Sequence, residues 1–127
     1  MADQNLRERT FRFACRIVRL CRGLSAVPGI HRQVSYQLVR SGTSIGANLE
    51  EAKSAHTRRE FACKLGTVLR ESRETLYWLR IVAASELASV EEVQSLIKEA
   101  DELVAIFTVA VRKARQPVNS NSETSNF

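Results

Sequence analysis

The sequence predicts an all-α protein, an antiparallel up-down-up-down four-helix bundle with a disordered C-terminal tail. Three observations carry this. Aliphatic residues, Ala, Glu and Arg are plentiful, whereas the 127 residues hold only five Gly, two Pro and 6% aromatics, a mixture that favours helices over a sheet sandwich. Apolar residues recur at spacings of three and four in four separate stretches. The connectors between those stretches are short, so neighbouring helices pack antiparallel. Residues 1–115 form one bundle domain, a length sufficient to bury a core, and residues 116–127 form the tail.

The first helix is expected over residues 6–24, with Gly23 supplying a left-handed residue near its end. Pro28 is suited to start the second, over residues 29–55. There Val34, Leu38, Ser41, Ile45, Leu49 and Ala52 mark one face. Gly42 and Gly46 each cost a helix interior about 1 kcal/mol relative to Ala. The apolar phase nevertheless runs through them without a slip, so one continuous helix is expected. Gly42-x-x-x-Gly46 reads as a shallow groove where another backbone approaches, and not as a phosphate loop, because GxxxxGK[ST] and a preceding strand are missing.

The third helix, residues 58–85, opens on Thr57-x-x-Glu60, a capping box in which each side chain satisfies a first-turn amide. Phe61, Leu65, Val68, Ser72, Leu76, Leu79 and Ala83 form its stripe. The fourth, residues 90–115, opens on Ser89-x-x-Glu92, and Arg112, Lys113 and Arg115 suit the dipole of its last turn. The tail is Asn, Ser, Thr and Glu after Pro117.

Several function classes are disfavoured. No apolar run approaches the ~20 residues of a membrane span. Arginines interrupt the N-terminal stretch too often for a signal peptide, so a cytoplasmic protein without membrane contact is expected. Cys15, Cys21 and Cys63 share no CxxC spacing and read as small apolar residues. Neither His31 nor His56 follows a Glu by three, as a four-helix di-iron site requires, and neither lies near Ser41 or Ser44 as a base. The sequence reads as non-enzymatic, with no cofactor and no metal.

The net charge of +5 is uneven: residues 1–40 hold eight Arg and two acids, whereas residues 41–115 balance eleven against eleven. At 100° per residue, Arg9, Arg12, Arg16 and Arg19 share an arc of ~80° on the first helix, a candidate track for RNA or DNA phosphates. Aromatic residues are missing from this stripe, so its contacts are expected to be to backbone. The rest of that helix is apolar over roughly twice the arc a bundle helix needs. Phe11, Ala14, Cys15 and Val18 form one side; Leu6, Phe13, Ile17, Leu20 and Leu24 form another. Such width predicts self-association, with Phe13, Ile17, Leu20, Trp78 and Val82 as candidate interface residues.

On the second helix Gln37, Arg40, Ser44, Asn48 and Glu51 follow one edge of the apolar face. The short side chains of Ser44 and Asn48 point to hydrogen bonds with another helix, and Glu71 and Glu74 are candidate partners.

The stretch from Gln37 to Asn48, then Glu51-Ala52, and the block from Glu71 to Leu79 resemble the two signatures of the bacterial proteins encoded in 23S rRNA intervening sequences, over roughly residues 10–113. The resemblance implies a four-helix bundle and a ring of five subunits. It implies no catalytic residues, and makes Arg40, Ser44, Asn48, Glu51, Glu71, Glu74 and Trp78 structural. A more distant similarity is to the accessory proteins of diversity-generating retroelements, basic pentamers that bind nucleic acid and a reverse transcriptase. The expected function is a homo-oligomeric bundle holding nucleic-acid backbone through its first helix. The alternative is an oligomeric scaffold for another protein, without nucleic-acid contact.

Overall fold

The computed structural model describes residues 2–117. Four helices follow one another: α1 (Ala2–Ser25), α2 (Ile30–Lys53), α3 (Arg58–Ala84) and α4 (Val90–Ala114). They pack as an up-down-up-down bundle. Each consecutive pair is in close contact along its length, opposite corners stay apart, and α1 meets α4 more loosely. Phe13, Ile17, Leu38, Ile45, Leu49, Leu65, Leu79, Leu96, Leu103 and Phe107 fill the centre. The predicted tail lies outside the described residues, apart from Gln116 and Pro117.

α2 is unbroken through residues 41–46, and the two glycines are where α1 sits down on it. A Cβ at Gly42 would lie 2.8 Å from Ile17 Cγ2, and one at Gly46 would lie 3.3 Å from Thr10 Oγ1. The expected backbone approach is therefore made by α1 of the same chain. Gly23 is not a left-handed cap: α1 continues to Ser25, and the positive φ of 88° falls on Gly29, the N-cap of α2. Pro28 precedes that cap instead of starting the helix.

The two expected capping boxes differ. Thr57 Oγ1 accepts from the Glu60 N–H at 3.0 Å, and Glu60 Oε2 accepts from the His56 N–H at 3.2 Å. Ser89 is the N-cap of α4, but its hydroxyl makes no capping hydrogen bond. α3 ends on Glu86 in the left-handed region at φ 57°. The Leu87 N–H returns to Val82 O and the Glu86 N–H to Ala83 O, which closes the last turn in a Schellman pattern. Arg58, at the start of α3, donates to Lys113 O and Gln116 O and satisfies the end of α4.

Candidate functional site

The arginine stripe of α1 faces α4, and its members divide. Arg9 forks onto Glu99 at 2.7 and 2.8 Å and also reaches Glu102 at 2.8 Å. Arg16 donates to Ser95 Oγ at 2.7 Å. Hydrogen bonds from Arg9 hold the Glu99 carboxyl below the usual carboxylate range against the opposing effect of burial, and the charges of Arg16 and Arg12 add to the shift. The same contacts raise the pKa of Arg9. Two of the four arginines thus tie the loose α1–α4 side of the ring, while Arg12 and Arg19 stay exposed. On the opposite flank Arg7 forks onto Glu50 of α2 at 2.6 and 2.8 Å.

The candidate interface residues need correction. Phe13, Ile17, Leu20 and Val82 are 8% exposed or less, enclosed by the chain's own helices. A side chain already packed inside one copy offers no area to a second. Only Trp78 remains half-exposed. The apolar side of α1 that stays outside is the other one: Phe11 is 63% exposed and Val18 45%. Phe11 and Ala14 border a shallow groove of about 210 Å³ against Thr43, Gly46 and Ala47 of α2.

The polar strip of α2 is an ion-paired seam with α3. Arg40 reaches Glu71 at 3.4 Å and also Glu74, whose other contact is Trp78 Nε1–H at 3.1 Å. Hydrogen bonding from Arg40 depresses the Glu74 carboxyl, and that from Trp78 adds to it. Lys64 pairs with Glu51 at 2.7 Å. Ser44 and Asn48 do not cross to another helix: the Ser44 hydroxyl donates to Arg40 O and the Asn48 amide to Ser44 O. Their short side chains satisfy themselves on α2, as do those of the buried Ser41, Ser72 and Thr75 on their own helices.

Beyond this seam lies a surface that the sequence reading missed. Tyr36 and Gln37 of α2 and Trp78 of α3 line a cleft of about 620 Å³, with Arg32 at its rim. Tyr77 stands edge-on to Trp78, ring centroids 5.5 Å apart. Tyr77 also belongs to an exposed row on α3 with Arg70, Arg73 and Arg80. This row has the same three-and-four spacing as the α1 stripe, so its signal was present in the sequence.

Among the described residues no group of three or more His, Cys, Asp or Glu could hold a metal, and no helix is long and apolar enough to cross a membrane. Cys21 is buried and its thiol is pushed up by that burial; Cys15 is half-buried and Cys63 exposed.

Fold and seam together define a four-helix-bundle protein pinned at its α2–α3 edge by an Arg40–Glu71–Glu74 contact. Residues 2–108 match the model of the 23S rRNA-intervening sequence protein family, and the chain belongs to that family. A solved structure described as a protein of unknown function from the S23 ribosomal protein family of Bacteroides thetaiotaomicron VPI-5482 superposes with a TM-score of 0.78. It is 33% identical, over 88% of this chain and 99% of that one. No curated protein matches the chain.

Proposed function

We propose that the protein acts without catalysis, as a self-assembling helical bundle that binds the backbone of nucleic acid. The observation that carries the assembly is the outward side of α1. A phenylalanine 63% exposed, in line with Ala14 and Val18 and beside an apolar groove, is area that a second copy can remove from water. A ring of five, the arrangement implied by the family resemblance, is the expected assembly. The nucleic-acid part rests on the net charge of +5 and on exposed guanidinium groups, whose planar donors fit phosphate.

Light scattering with and without RNA across a salt series tests both parts. The expected result is a species several times 14.3 kDa, reduced to a single copy by Phe11→Glu with Val18→Glu, and RNA binding that weakens as salt rises. A single-copy mass at every micromolar concentration would overturn the assembly. No RNA binding even at low salt would overturn the nucleic-acid part.

A further inference from the structure

We propose that the outer face of α3, with the Tyr36–Trp78 cleft beside it, is a stacking surface for single-stranded nucleic acid. This rests on the nucleic-acid reading above and assigns it a place and a substrate form. On a helical wheel Arg59, Arg70, Arg73, Tyr77 and Arg80 fall within an outward arc of ~80°. That arc holds no acid. The three acids of α3 are Glu60, Glu71 and Glu74, and they lie toward α2. Glu71 and Glu74 are occupied by Arg40. The Arg70 charge also acts on Glu74, and with four arginines the face stays net positive. From Arg70 to Arg80 it spans ~15 Å, long enough for several nucleotides of backbone.

Charge alone does not distinguish one nucleic-acid form from another; the aromatics do. Tyr77 is 57% exposed and Tyr36 65%, an unusual cost for side chains of that size unless something covers them. Trp78 lies between them, held by its Nε1–H donating to Glu74. Rings flanked by arginines match the recognition of unpaired bases, whose faces are open to stacking while the guanidinium groups take the phosphates. In a duplex the base faces are already stacked on one another, so the rings have nothing to receive.

Trp78 is the only tryptophan in the sequence, so its fluorescence reports on this surface directly. Titration with oligo-U and oligo-dT 12-mers should quench or shift the emission, and an equal-length duplex should bind at least ~10-fold more weakly. Tyr77→Ala and Tyr36→Ala, both at exposed positions that leave the core intact, should each weaken single-strand binding roughly 5- to 100-fold. Binding should fall with salt at a log–log slope of about −2, from three phosphates on a single strand. Three results would each overturn the proposal. One is unchanged emission with oligomers that nevertheless bind. Another is equal affinity for single strand and duplex with no effect of the tyrosine variants. The third is loss of the assembled mass in those variants, which would make the aromatics a contact between copies. No binding of any nucleic acid would remove the broader reading along with this one.

Discussion

α1 and α3 carry arginine rows of the same helical spacing, and the bundle treats them differently. On α1, Arg9 and Arg16 face α4, which contributes Glu99, Glu102 and Ser95. Half of that row is therefore spent on closing the ring. On α3, Arg70, Arg73 and Arg80 are exposed, Arg80 beside Gln94 and Ile97 of α4, and Glu71 and Glu74 lie on the edge that Arg40 meets, with the Arg70 charge also acting on Glu74. A row of like charge becomes a binding surface only when the neighbouring element leaves it without counter-charges. The apolar rows of α1 divide in the same way: Phe13 and Ile17 fill the core while Phe11 and Val18 remain outside.

The largest expected effect tests this contrast directly. Reversing Arg70, Arg73 and Arg80 to Glu should weaken oligo-U binding on the order of 100-fold at low salt, read by Trp78 emission, because three attractions become three repulsions. Reversing Arg12 and Arg19 should change it less than ~threefold. The opposite ranking would place the phosphate track back on α1.

Stability should rank the two rows the other way. Arg9→Met removes a forked, half-buried partner of Glu99 and should cost about 1–2 kcal/mol in urea unfolding, whereas Arg73→Met should stay within ~0.5 kcal/mol. The pH dependence follows from the lowered Glu99 pKa. A carboxyl depressed in the folded state contributes fully above its unfolded value of about 4.3 and loses that contribution as pH falls below it. The gap between the parent protein and Arg9→Met should therefore narrow from pH 7 to pH 3. A gap that stayed constant would show that Arg9 acts through packing of its stem and not through its charge.

The smallest effect concerns how the two helices end. α1 stops without a left-handed residue, but α3 places Glu86 at φ 57°. Glu86→Gly should raise stability by ~1 kcal/mol in thermal unfolding, since glycine adopts that conformation without the side-chain clash. A loss would mean that the Glu86 side chain holds something at the α3–α4 connector.

Much of this was legible in the sequence. The apolar phase of α2 ran through Gly42 and Gly46, and the helix is continuous there. Thr57 and Glu60 announced the start of α3: Thr57 caps the Glu60 N–H as the spacing implies, while Glu60 reaches the His56 N–H, one residue before the cap. Glu71 and Glu74 were readable as the groups facing the polar strip of α2, but the side chain that meets them is Arg40 and not Ser44 or Asn48. Ser44 and Asn48 misled because a short polar side chain near a core satisfies itself equally well on its own carbonyls. α1 starts before residue 6, the expected first residue; residues 2–5 carry no apolar stripe, so periodicity cannot register them.

The sequence by itself determined the number of helices, their order, most of their ends and the stripe of α2, α3 and α4 that turns inward. Those are properties of a single helix, fixed by propensity, capping and the 3.6-residue period. The tertiary structure decided which apolar side of α1 remains outside, and which arginine row keeps its charge. Those depend on the element standing opposite. The period gives a residue its angle on its own helix, but only the packed ring gives it a neighbour.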